Sequence, residues 1–390
     1  MFSTRFTWSL DVNPLTLALR ARRESGRPVT DLTEANPGRA GFLWDAGALA
    51  AHYAHPEAVR YDPDPRGTGV ARDAVVRYYA DRGVPVAADD LRLAASTSEA
   101  YGWLLKLLTE PGDDILVPEP SYPLFEYIAA MERVTLRGVP STATGFRLDA
   151  DALAAAVTPR TRAIVAVSPN NPTGVVLDAA ERDALRRTAA ARGLPLIVDE
   201  VFLDYPAAGA PAPATFAGER DTPVFVLSGL SKIAALPQAK LGWIVIGGPA
   251  AFRAEAGERL DHIADTYLSV SAAVQLACDG LIAGSAGLRD AIRARCDAND
   301  ATLRRWAGDS GHGVVVEPRE AGWYASLLLP RGVDEAGATL RLLNDTGVLV
   351  HPGHFFGYRH GRARWIVGLL TPPEAVADAL PAFDVTLRRV

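Results

Sequence analysis

Seven short apolar runs recur through the middle of the chain: Leu91–Ala94, Ile115–Pro118, Val134–Arg137, Ala163–Val167, Pro195–Asp199, Val224–Ser228 and Trp243–Ile246. Two of them, Ala-Ile-Val-Ala-Val and Leu-Pro-Leu-Ile-Val, are almost continuously apolar. A strand with one face in water alternates apolar with polar residues, whereas a strand covered by helices on both faces does not. Helical spacing fills the gaps, as in Ser98–Leu108, Tyr122–Met131 and Asp178–Ala191. The last opens on Asp178 with Glu181 three residues later, the pattern of a capping box. Strands alternating with helices predict an α/β fold, a mostly parallel seven-stranded sheet flanked by helices and joined by right-handed crossovers.

Near Gly280 the pattern changes. An arginine-rich helical stretch over 288–308 leads to the strand-like pieces Val-Val-Val-Glu-Pro and Trp-Tyr-Ala-Ser-Leu-Leu-Leu-Pro, a further helix, and Gly-Val-Leu-Val-His-Pro-Gly. This predicts a smaller α+β domain built from residues 1–45 and 280–390, beside a large domain of residues 46–279. The Pro/Ala/Gly-rich stretch Pro206–Gly218 reads as a surface connection.

Composition removes several classes. Among 390 residues, 48% are hydrophobic and 22% charged, which fits a globular protein and excludes extensive disorder. A net charge of −6 argues against a basic face for nucleic acid. Two cysteines, Cys278 and Cys296, supply neither a disulfide scaffold nor a cysteine zinc site. No apolar run reaches the roughly 18 residues of a membrane span. The opening Met-Phe-Ser-Thr-Arg-Phe lacks the pattern of a secretory leader. A cytoplasmic enzyme is the expectation that remains.

In a parallel sheet, ligands bind where the strands end and loops lead into helices. Three consecutive ends stand out: Ala163–Val167 runs into Ser-Pro-Asn-Asn-Pro-Thr-Gly, Pro195–Val198 into Asp199-Glu200, and Val224–Ser228 into Gly-Leu-Ser-Lys, ending at Lys232. An amide, a carboxylate and an amine therefore reach one edge together. Burying a lysine or an aspartate there is costly unless each has a partner or a task. One chemistry satisfies both: a lysine amine forms a Schiff base with the aldehyde of pyridoxal phosphate, and a carboxylate keeps the pyridine nitrogen protonated.

Asn171-Pro172-Thr173-Gly174, Asp199-Glu200, Ser231-Lys232 and Arg364 stand in the order and spacing of the aspartate-aminotransferase-like group of fold-type I pyridoxal phosphate enzymes, the class I and II aminotransferases. The chain resembles that family from about Leu32 to about Leu370. The resemblance implies that Lys232 is the Schiff-base lysine and proton shuttle, Asp199 the partner of the pyridine nitrogen, and Asn171 an amide serving the cofactor's 3′-oxygen and the substrate carboxylate. It implies that Tyr122 stacks on the ring and that Arg364 clamps the α-carboxylate with its guanidinium fork. Thr97, Ser98 and Glu99 lie in the turn that opens a helix, a ready anion site, and with Ser231 they are the implied phosphate contacts; Ser231, like Ser228, also reads as a turn cap. Tyr61 resembles the tyrosine that reaches the partner subunit's phosphate, which makes a homodimer the expected assembly.

Three positions depart from the family pattern. Ala35 replaces a glycine near the substrate carboxylate. Lys240 replaces a phosphate-holding arginine and keeps the charge without the planar fork. Phe202 replaces a tyrosine whose hydroxyl serves the 3′-oxygen, so the Lys232 linkage is expected to keep its proton to higher pH. The implied reaction moves an amino group between an L-amino acid and a 2-oxo acid. Phe42, Trp44, Trp323, Tyr324 and Phe356 tilt the expected donor towards neutral or aromatic amino acids. The alternative is a pyridoxal phosphate lyase, decarboxylase or cyclase on the same scaffold. A ligand-sensing regulator is disfavoured, because only about thirty residues precede the first motif. His351, His354 and His360 read as loop histidines and no metal is expected. Gly67-Thr-Gly-Val-Ala-Arg72 lacks the third glycine of a nucleotide loop. His262, Asp261 and Asp265 read as solvated helix positions.

Overall fold

The structure, a computed structural model, describes residues 2–5, 11–358 and 361–389. Thirteen strands are present among them: β1 (Thr30–Asp31), β2 (Leu91–Ala94), β3 (Asp114–Glu119), β4 (Thr135–Pro140), β5 (Thr161–Val167), β6 (Leu196–Asp199), β7 (Val224–Gly229), β8 (Gly242–Gly247), β9 (Val315–Val316), β10 (Tyr324–Leu328), β11 (Val348–Leu349), β12 (His351–Pro352) and β13 (Arg364–Gly368). The seven predicted strands form one sheet in the order β2-β8-β7-β6-β5-β3-β4, with β8 alone reversed.

Alternating strand residues explain the continuous apolar runs. Leu196 and Val198 of β6, with Val224 and Val226 of β7, face the core under helices Gly69–Ala80, Ala179–Arg192 and Ala272–Gly284. Ile197, Phe225 and Leu227 point the opposite way, towards helices Thr97–Leu108, Leu124–Met131 and Ala250–Tyr267. Both faces are dry, so both sets are apolar. Each fully buried side chain of this size contributes roughly 1.5–3 kcal/mol. The helix after β5 starts as expected: Asp178 accepts from the Glu181 N–H, and Glu181 caps the Asp178 N–H in return.

A second core lies under the sheet β12-β13-β10-β9, between helices Ala286–Asp309 and Pro373–Leu387. Leu32 and Phe42 join it, so part of the N-terminal segment packs with the C-terminal one. The predicted cut at 279/280 falls inside helix Ala272–Gly284, and Leu281 belongs to the large core. Other local readings also shift. Helix 97–108 begins one residue early, because Ser96 is the residue that accepts the Glu99 N–H and caps the helix. Asp261 pairs with buried Arg92 instead of standing in water. The predicted surface loop 206–218 turns inward at its end, where Thr215 Oγ1 and the Phe216 N–H donate to buried Glu200.

Among the described residues no single helix is long and apolar enough to cross a membrane, and none holds three or more His, Cys, Asp or Glu side chains in a metal-binding group.

Candidate active site

Strand pairing sets the site. Val167 lies opposite Asp199, and Asp199 opposite Leu227, so β5 and β6 finish level with one another and β7 runs two residues further, to Gly229. The reversed β8 brings Gly242 beside both Ala94 and Gly229. A Cβ on Gly229 would sit 2.7 Å from the Gly242 Cα, and one on Gly242 3.2–3.3 Å from Ser96 and Thr97. Only glycines permit this approach, which holds the Ser96–Ser98 turn against the segment carrying Lys232.

Lys232 sits in the short helix Leu230–Ile233 after β7. The carbonyls ending that helix would lack partners within it. Three side chains from other elements take them: Tyr205 Oη donates to the Lys232 carbonyl at 2.5 Å, Arg289 to that of Ile233 at 3.1 Å, and Trp44 Nε1 to that of Ala234 at 2.9 Å. The base of the lysine is thus fixed, while its amine stands 4.6 Å from the Trp323 ring centre and 5.2 Å from that of Phe202. Those two rings meet edge to face. Burial pushes the Lys232 ammonium down to about 8, against the opposing pull of the Asp199 charge. A lowered pKa leaves a usable fraction of free, nucleophilic amine near neutrality.

Asp199 carries the converse shift. Burial lifts its carboxyl to about 6, opposed by the Val201 N–H (3.1 Å to Oδ1), the Tyr101 hydroxyl (3.2 Å to Oδ2) and the Lys232 charge. Tyr122 is half-buried close by, and its phenol is raised by burial and then by the Asp199 charge. Tyr101 escaped the sequence reading, because a tyrosine on an apolar helix face reads as core. Its one signal is its place one turn beyond Thr97, on the face turned to the strand ends.

At the other end of the cluster, the first bond of helix Thr97–Leu108 runs from the Ala100 N–H to the Ser96 carbonyl. The N–H groups of Thr97 and Ser98 therefore have no acceptor within the helix. Two buried polar atoms nearby lack a protein partner: Ser228 Oγ, at the end of β7, and Asn171 Oδ1, in the loop after β5. A free amine, a carboxylate, orphaned amide and hydroxyl groups and bare helix N–H groups are the complement of an aldehyde, a pyridine nitrogen, a ring oxygen and a phosphate. The residues present fit pyridoxal phosphate.

Other predicted site residues are placed differently. The Glu99 carboxylate accepts from the Ala95 N–H and from Ser269 Oγ, both at 2.6 Å, so it braces the turn. Lys240 is exposed, with its backbone in the left-handed region, two residues from Gly242. Ser231 is half-buried. Tyr61 is 84% exposed in the single chain. Ala35 is half-buried, and its N–H donates to Glu34 Oε1. Arg364 lies on β13 with its guanidinium paired to Glu317. Of the mouth aromatics, Phe42 is buried beneath the Arg295 guanidinium and Trp44 is occupied with the Ala234 carbonyl, so neither offers a binding surface. His351 is packed between Phe355 and Phe356, and His354 pairs with Glu335; His360 lies outside the described residues.

Residues 29–376 match the family described as aminotransferase class I and II. An arginine–pyruvate transaminase from Pseudomonas aeruginosa is 32% identical over 308 residues, covering 75% of this chain and 74% of its own. A probable N-succinyldiaminopimelate aminotransferase from Mycobacterium tuberculosis is 34% identical over 281 residues, 68% of each chain. The fold is shared with an alanine aminotransferase from Pyrococcus furiosus, at a TM-score of 0.90 and 23% identity over the full length of both. With the Lys232–Asp199 pair at its sheet edge, the chain belongs to the class I and II aminotransferase family and is a pyridoxal phosphate-dependent aminotransferase.

Proposed function

We propose that Lys232 is the covalent anchor and proton carrier of an exchange between an L-amino acid and a 2-oxo acid, with Asp199, Asn171, Tyr122 and Arg364 as its partners. The observation that carries the assignment is geometric: Asp199 closes β6 opposite Leu227 of β7, and Lys232 follows β7 directly in the helix Leu230–Ile233, so the amine and the carboxylate meet at one sheet edge. Bound there, the cofactor supplies a carbonyl to receive the amino group and a ring that withdraws electrons. Asp199 keeps a negative charge facing the pyridine nitrogen, and Tyr101 and the Val201 N–H hold that carboxylate in place. Lys232, once released by the substrate, moves a proton between the α-carbon and the neighbouring cofactor carbon. Arg364 orients the α-carboxylate, and orientation decides which bond breaks. Ser228 and Ser231, the Thr97 and Ser98 N–H groups and the Lys240 charge serve the phosphate.

Support for a neutral or aromatic donor now rests on the half-buried Tyr122 and Tyr324, because Trp323 and Phe356 are as buried as Phe42. Tyr324 and Phe356 meet edge to face, 6.0 Å apart. Exposed Tyr61, with Val59 at 90% and Leu43 at 70%, supports a homodimer in which Tyr61 serves the neighbouring site; a monomeric mass by light scattering at micromolar concentration overturns this. Unpaired, buried Cys278 and Cys296 fit a cytoplasmic setting.

The test of function is a half-reaction. An amino donor should convert the bound cofactor to its amine form, and a 2-oxo acid should restore the starting spectrum. Release of carbon dioxide or ammonia without that return supports a decarboxylase or lyase and sinks the proposal. Phe202→Tyr provides a second check. A new donor for the 3′-oxygen should lower the pH at which the cofactor absorbance shifts, by about one to two units for a hydrogen bond to a charged group. A shift to higher pH contradicts the assignment.

A further inference from the structure

The fork of Arg364 is already filled. Its Nε and Nη2 donate to the two oxygens of Glu317, each at 3.1 Å, and Nη1 donates to the Arg362 carbonyl at 2.9 Å. The rings of Phe146 and Tyr358 lie 5.1 and 4.7 Å from the guanidinium carbon. Glu317 follows β9 directly and also accepts from Ser326 Oγ at 2.5 Å. Both charged side chains are nearly dry, 8% exposed for Arg364 and 14% for Glu317. This is the bidentate geometry that a bound carboxylate would have.

We infer that Glu317 is a specificity-determining residue: its carboxylate occupies the Arg364 fork when no substrate is present, and an incoming substrate carboxylate has to displace it. This rests on Arg364 being the carboxylate clamp proposed for the reaction. Displacement exchanges one bidentate pair for another, so the guanidinium gains little. The released Glu317 keeps only the Ser326 hydroxyl among its present partners. A second carboxylate, Glu335, accepts from the Arg364 N–H and from His354, so the surroundings do not welcome another unpaired negative charge. Carboxylate affinity is therefore a difference between two pairs rather than the strength of one. A ligand offering only a carboxylate binds poorly. One that also makes contacts over the ring of the bound cofactor overcomes the competition.

Calorimetric titration of the holoprotein with sodium propionate in chloride-free buffer tests the inference. Four proteins are compared: native, Glu317→Gln, Glu317→Asp and Arg364→Met. Glu317→Gln should bind propionate about tenfold more tightly or better, since charge-assisted competition is removed. Glu317→Asp keeps the charge on a shorter arm and should fall between. In Glu317→Gln the KM for the amino donor should drop with little change in kcat. Arg364→Met should not bind propionate. Equal propionate affinity in the native protein and both Glu317 variants, with binding lost in Arg364→Met, overturns the inference and leaves the clamp standing. Unchanged binding in Arg364→Met overturns the clamp and the inference together. Thermal unfolding is recorded for each variant, and Glu317→Asp carries the comparison if Glu317→Gln, which leaves Arg364 without a carboxylate, does not fold.

Discussion

Lys232→Ala should lower kcat by about 10⁴-fold or more, because one substitution removes both the covalent anchor and the proton carrier. Borohydride should no longer fix the cofactor to the chain at position 232. Added methylamine should restore part of the rate, since it replaces the missing base and cannot replace a missing fold. The same variant should stabilise the cofactor-free protein. The folded state holds the Lys232 pKa at about 8, below its ordinary 10.5. A depressed lysine contributes stability that is complete above the unfolded value and is lost as the pH falls through the folded one. At pH 7 the buried ammonium thus costs about 3 kcal/mol, from 2.5 units at 1.36 kcal/mol each. Lys232→Ala relieves that cost, less the lost attraction of the amine to the Phe202 and Trp323 rings. A variant that keeps a tenth of the native rate, or a labelled peptide that excludes position 232, refutes the assignment.

Much of this was legible in the sequence, for a physical reason. Strands buried on both faces write themselves as nearly unbroken apolar runs, as β5 and β6 do, and all seven central strands coincide with short, mainly apolar runs. Polar residues at the ends of such runs are costly, so Asn171, Asp199 and Lys232 stood out against their background. What escaped is what periodicity does not encode. Tyr101, which supports Asp199, looks like any aromatic on a buried helix face. Tyr205, Arg289 and Trp44 hold the three carbonyls behind Lys232 from 27, 56 and 190 residues away in sequence, and no local pattern marks them. Glu317 looks like an ordinary polar residue after a strand until the small sheet folds it onto Arg364. The place of Glu99 in the phosphate turn says nothing of where its side chain points. That direction is set by Ala95 and Ser269.

Asp199→Asn should separate activity from stability. Removing one charge from a buried complementary pair costs about 3–5 kcal/mol, so kcat should fall by about 10²–10⁴-fold at 1.36 kcal/mol per factor of ten. The amide has nearly the same shape: its oxygen can keep the Val201 N–H, and the Tyr101 hydroxyl, now beside the NH2 group, can turn to accept from it, so the loss should come from charge rather than from collapse of the site. Stability of the cofactor-free protein should move the other way. The folded state raises the Asp199 carboxyl from 3.8 to about 6. For a raised carboxyl, the stability belongs to the neutral form, is complete below 3.8 and is lost as the pH rises through 6. At pH 8 the native protein therefore carries an ionised, buried carboxylate at a cost of about 3 kcal/mol, from roughly 2.2 units. Asp199→Asn should raise Tm at pH 8, and that gain should vanish at pH 4. Pyridoxal phosphate reverses the order, because its ring nitrogen gives the native carboxylate the partner that the amide cannot use. A Tm gain that persists at pH 4, or cofactor stabilisation equal in the native protein and in Asp199→Asn, contradicts the pairing of this carboxylate with the ring nitrogen.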